Sequence, residues 1–85
     1  MKRIGVVGIV VKGDKMVVAK MQSVLSDFAD IIIGRMGVPR SGINTISLIV
    51  EGPQERISAL TGRLGQFNEI SCKSALTSFE VEEQL

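Results

Sequence analysis

The stretch from Gly8 to Lys15, GIVVKGDK, comes close to the G-x-x-x-x-G-K-[ST] loop that cradles nucleotide phosphates. In that loop a lysine meets the terminal phosphates and a hydroxyl residue holds magnesium. Here Asp14 stands at the lysine position and Lys15 at the hydroxyl position. A carboxylate there repels phosphate, so a triphosphate site is not expected. Arg35 and Arg40 flank a Pro-Gly turn and have the chemistry to hold an anion. The plainer reading is preferred: one solvated arginine, and one whose methylene stem covers apolar surface.

Cys72 is the only cysteine and the chain has no histidine. Neither a Cys-His nucleophile nor a nitrogen-rich metal site can form from that set, and Cys72 reads as a buried free thiol. Asp14, Asp27, Asp30, Glu51 and Glu55 are scattered over loop and helix positions, without the spacing of an acid/base pair. No serine or threonine has a base to activate it. The residues therefore predict no catalytic group, no metal and no cofactor.

A chain of 85 residues makes one domain with a thin core. The composition is 45% hydrophobic with three Phe and no Trp or Tyr, so that core must be aliphatic. Ten basic and nine acidic residues leave a net charge of +1, which provides no electrostatic footprint for DNA or an anionic membrane. The N-terminal apolar run is short for a signal peptide and ends in Lys-Gly-Asp-Lys. Nothing approaches a membrane span. A lone cysteine suits a reducing compartment, and the expectation is a soluble, cytoplasmic protein.

Residues 3–11, RIGVVGIVV, form a β-branched run apolar on both faces, the mark of a covered central strand. Asp14 can cap the next helix, in which Val17, Met21, Val24, Leu25 and Phe28 recur at helical spacing. Strands are expected at 31–38 and 43–51, joined through Pro39-Arg40-Ser41-Gly42. Pro53 opens a second helix lined by Ile57, Leu60, Thr61 and Leu64, with Gly65 as its stop. A last strand covers 69–77. The domain is expected at 1–78, with an acidic, frayed tail at 79–85.

The order β-α-β-β-α-β predicts an α+β ferredoxin-like two-layer sandwich, its antiparallel sheet ordered 4-1-3-2. An RNA-recognition domain shares that topology but reads bases with aromatics on its central strands, where this chain has aliphatics. Two helices cover one face of such a sheet. With Ile46, Leu48 and Val50 facing them, equal parity adds Met36, Val38, Ile70 and Cys72. The opposite face would then carry Val7, Ile9, Ile31, Ile33, Ile43 and Ile49, with Arg35 and Lys73 on that face or at its rim. So much exposed apolar surface predicts a homo-oligomer, dimer or tetramer, paired through the sheets.

RIGVVGIVVK, IIIGRMGVP, INTISLIVEG, ISALTGRLG and KSAL together resemble the small stand-alone ACT-like proteins assigned as regulators of iron-only hydrogenase systems. The resemblance spans nearly the whole chain. It implies an ACT fold similar to the C-terminal domain of nickel-responsive repressors, sheet-mediated oligomers and no catalytic residues. The histidines of a nickel site are missing, so that site is not carried over. The expected role is regulatory or ligand-sensing. The alternative is an accessory protein that binds a larger protein and no small molecule. Neither reading has the chain bind specific DNA by itself. A ligand would sit at Lys12, Gly13 and Asp14, where the first helix offers exposed N–H groups, unless Asp14 serves only as the helix cap.

Overall fold

A computed structural model describes residues 1–82. Its elements are β1 (Lys2–Val11), α1 (Lys15–Asp27), β2 (Ile32–Arg40), β3 (Ile43–Gly52), α2 (Gln54–Leu64) and β4 (Ile70–Val81). All neighbouring strands pair antiparallel, in the order β2-β3-β1-β4. This is the expected 4-1-3-2 sheet read from the other edge, and the β-α-β-β-α-β sandwich is the observed fold.

The β-branched run of β1 lies in the middle of the sheet. Antiparallel partners directly opposite one another share a face. Val7 sits opposite Leu48 and Ile9 opposite Ile46, and all four are buried. Met21, Val24, Leu25 and Phe28 of the α1 segment and Ile57, Leu60 and Leu64 of α2 complete this core. Of the residues read at helical spacing, these seven are buried, while Val17 and Thr61 are only half-buried. Gly65 ends α2 without leaving the right-handed region (φ −68°), its N–H donating to the Thr61 carbonyl at 2.9 Å.

Three expected members of the open face lie instead in the core. Val7 is 0% exposed, and Ile9 and Ile31 are 2%. Side-chain parity holds within a strand but is reset by every turn between strands, and β1 takes the odd phase. In β2 the phase changes within the strand. Ile32 pairs with Val50, but Gly34 pairs with Ile49, so Ile33 is an extra residue in a β-bulge. Beyond it Met36 and Val38 pair with Ser47 and Thr45 and point away from the helices, while Arg35 pairs with Leu48 on the helix side. Ile33, 57% exposed, and Ile49 remain on the open face, with Ile43 half-buried at its end. Lys73 opposite Gly8 is on that face too, and Cys72 opposite Ile9 is not.

The β2–β3 turn is tighter than expected. Pro39 and Arg40 belong to β2, an edge strand in which a missing N–H is tolerated. Only Ser41 and Gly42 connect the strands, and Gly42 takes φ 77°. At the other edge β4 continues to Val81, beyond the expected end at 77, with its register to β1 shifting between Arg3 and Gly5. The last residues of the expected tail, 83–85, lie outside the described residues.

Two glycines of β1 separate steric need from vacancy. A Cβ on Gly5 would stand 2.7 Å from the Ala75 carbonyl oxygen, whereas one on Gly8 would meet nothing nearer than 4.0 Å. Gly5→Ala is expected to destabilise the fold by about 1–3 kcal/mol through overpacking. Gly8→Ala should be neutral or slightly stabilising, since alanine has less backbone entropy to lose. Urea unfolding of the two variants, compared with the parent, checks this.

Candidate functional site

The loop from Lys12 to Asp14 lies where the sequence predicts, between β1 and α1. The Lys12 N–H donates to the Glu69 carbonyl at 2.8 Å, tying the loop to the approach to β4. Asp14 is extended (φ −86°, ψ −174°), and its Oδ1 accepts from the backbone N–H groups of Met16 and Val17 at 3.1 and 3.2 Å. It satisfies two of the amides that a helix start leaves unpaired. Gly13 lies against this turn, where a Cβ would come within 3.1 Å of Val17 Cγ2. Replacing Asp14 with Ala should remove about 0.5–2 kcal/mol of stability, and Asn should restore it; thermal melts of both variants measure the difference.

A second cluster, not anticipated from the sequence, closes the end of α1 against α2. Arg56 Nη2 is 2.6 Å from Asp30 Oδ1 and also donates to the Asp27 carbonyl at 3.1 Å. Arg63 Nη1 pairs with Asp27 Oδ2 at 2.8 Å. Both guanidinium groups lie over the buried Phe28 ring, at 4.3 and 5.6 Å from its centre. These partners are distant in sequence, and only helix packing brings them together. The hydrogen bond from Arg56 holds the Asp30 carboxyl below its ordinary range. The stabilisation from this pair is therefore present above the unfolded aspartate pKa and lost as pH falls through the lowered folded value. Arg56→Gln should return the Asp30 titration, followed by carboxyl-carbon NMR, to the ordinary range.

Cys72 lies on the helix side of β4, half-buried, with Sγ 3.7 Å from the Thr61 carbonyl oxygen. Burial raises its pKa and favours the neutral thiol. Among the described residues no three Cys, Asp or Glu side chains gather as metal ligands would. For Arg35 the sequence predicts a solvated side chain or one that covers apolar surface. In the structure its Nη2 donates to the Gln22 side-chain oxygen at 3.0 Å, across the gap between β2 and α1. Beside it opens a trough of about 250 Å³, and on its other side lies a shallower hollow of about 240 Å³ at Leu25, Ser26 and Ala29. A third depression, about 270 Å³, lies on the open sheet face around Gly8, walled by Val10, Met36 and Val38. The Lys12–Asp14 loop lines none of these three.

The 2-3-1-4 antiparallel sheet with two helices on one face is the ferredoxin-like arrangement, and its structural neighbours make the fold ACT-like. Residues 3–74 match the model of the TM1266-like family, described as "Iron-only hydrogenase system regulator, putative", and the chain belongs to that family. The structure of TM1266 from Thermotoga maritima, an uncharacterized protein, is 27% identical with a TM-score of 0.86, covering 89% of this chain and 98% of its own. The ACT domain of GTP pyrophosphokinase from Chlorobium tepidum is 16% identical with a TM-score of 0.76, covering 88% of this chain and 100% of its own. An ACT domain protein from Streptococcus pneumoniae is 12% identical with a TM-score of 0.58, covering 87% and 89%. The latter two share the fold. No curated protein matches the chain. No helix among the described residues is long and apolar enough to cross a membrane.

Proposed function

We propose that this protein is a non-catalytic, ligand-sensing oligomer that regulates an iron-only hydrogenase system in the cytoplasm. The family match over residues 3–74 carries the regulatory part of this reading. The oligomer is supported by the sheet face left without helices, where Val6, Val10, Met36, Val38 and Ile49 are all exposed. These residues, with Ile33 and Ile43, replace the set that included Val7, Ile9 and Ile31 as the proposed interface. Thr45, Ser47 and Lys73 share that face, and a second sheet laid on it would remove its apolar surface from water. The alternative reading, an accessory protein whose face receives a larger partner, rests on the same surface.

An effector would act by binding one state of the assembly better than another, since a ligand shifts an equilibrium only by its differential affinity. The Lys12–Asp14 loop remains a proposed contact to such a ligand through the unused Oδ2 of Asp14. With Oδ1 occupied by capping, the loop would contribute one oxygen rather than a whole carboxylate. Control over expression or maturation would pass through a protein partner, not through direct reading of DNA.

Light scattering at micromolar concentration is expected to give a dimer or tetramer, and Val10→Glu with Ile49→Glu should yield a folded monomer. A monomeric parent protein would overturn the oligomer. A thermal-shift panel of amino acids, purines and metals should contain a compound whose stabilisation grows with concentration, as binding linkage requires. A silent panel, together with a protein partner captured on the open face, would support the accessory role instead.

A further inference from the structure

Among the arginines in the described ion pairs, Arg3 is 3.8 Å from Glu80, Arg56 is bonded to Asp30 and Arg63 to Asp27. Arg35 has no carboxylate partner among the described residues. Its Nη2 donates instead to a neutral amide, the Gln22 side-chain oxygen, at 3.0 Å. It stands at the mouth of the α1–β2 trough, whose walls are Val18 and Met21 and whose floor is Gly37 and Ile46. Asn44 supplies a second neutral amide to the lining. Arg40 shares the lack of a carboxylate partner among the described residues, but only Arg35 lines this trough, where its exposed guanidinium has donors left over for a charged acceptor.

Gly37 is the second observation. It lies within an edge strand, where glycine weakens β structure, and its φ is not positive. A Cβ built on it would find nothing nearer than 4.0 Å, at Ile46 Cγ1 and the Thr45 carbonyl oxygen. Neither backbone conformation nor packing requires a glycine there. Its effect is to leave the floor of the trough open directly beside Arg35.

We propose that this trough binds a small organic carboxylate with an apolar body. The carboxylate takes the Arg35 guanidinium in place of the Gln22 oxygen, and the hydrocarbon lies over Gly37 against Val18, Met21 and Ile46. The fork of a guanidinium matches a carboxylate bidentately, and a charged acceptor makes a stronger hydrogen bond than an amide does. A phosphate dianion fits less well, because no lysine and no second arginine lines the trough. A volume of about 250 Å³ suits a short branched acid and lies below the ~300–1,000 Å³ of drug-sized sites. The proposal rests on the ligand-sensing reading and moves the site from the β1–α1 loop to the trough between α1 and β2.

The probe is 4-methylpentanoate, titrated at millimolar concentration into isotopically labelled protein, with 4-methylpentanamide and inorganic phosphate as controls. Saturable amide shifts are expected at Gly37, Asn44, Thr45 and Ile46, with both controls binding at least about tenfold more weakly. Arg35→Gln should weaken binding by about tenfold or more. Gly37→Val should block it while retaining the parent melting temperature. The absence of saturable shifts, equal binding of the amide, or shifts centred on Lys12–Asp14 would overturn the proposal. A thermal-shift hit that stabilises Arg35→Gln and Gly37→Val as well as the parent would remove this site while leaving the sensing role standing. Binding in the trough would support the site even if every other compound in the panel were silent.

Discussion

The burial of one sheet face beneath two helices is the contact on which the other elements depend. Val7 and Ile9 of the central strand meet Leu48 and Ile46 of its neighbour, and this four-residue patch receives the apolar stripes of both helices. An aliphatic core of this size leaves little margin, because a short chain buries a smaller share of its surface than a large one. The polar devices lie at its borders. Asp14 caps the entry to α1, and Arg56 and Arg63 cover Phe28 where α1 leaves the core. Half-exposed ion pairs such as these add little to stability.

The same constraint creates the surfaces that remain for binding. Two helices do not reach across four strands, so β2 keeps its helix side almost bare, with Arg35, Gly37 and Pro39 all exposed. The opposite sheet face has no helices at all and carries valine, methionine and isoleucine. One uncovered region is broad and apolar, fitted to another sheet; the other is narrow and has a cation at its mouth, fitted to a small anion. Their chemistry differs because the bulge at Ile33 exchanges the two sides of β2, sending Met36 and Val38 to the broad face and Arg35 to the narrow one.

Strand and helix order was legible in the chain itself. Local features carry it: β-branched runs, helical spacing of leucines and isoleucines, Asp before a helix, Pro and Gly at the breaks. The family-level resemblance was legible for the same reason, since its motifs span these elements, and the family match agrees with it. Which face each residue occupies was legible for β3 and β4, but not for β1 or for β2 beyond Ile33. Ile46, Leu48 and Val50 fall on the helix side as read, and so do Ile70 and Cys72. Val7, Ile9 and Ile31, expected on the open face, lie in the core beneath the helices, and Met36 and Val38, expected on the helix side, lie on the open face.

What the sequence determined by itself is therefore the succession of elements, the aliphatic core and the capping role available to Asp14, all set by interactions within about one turn or one strand. The tertiary structure decided the phase between strands, because alternation has no memory across a turn and a single bulged residue reverses it. It also decided the partners of the arginines. Arg56 and Arg63 meet Asp30 and Asp27 only after α1 packs on α2, and Arg35 meets a neutral amide beside an open trough only because β2 lies at the sheet edge. Charge and spacing give each arginine the same possibilities along the chain; the packing of distant elements determines which of them finds a carboxylate.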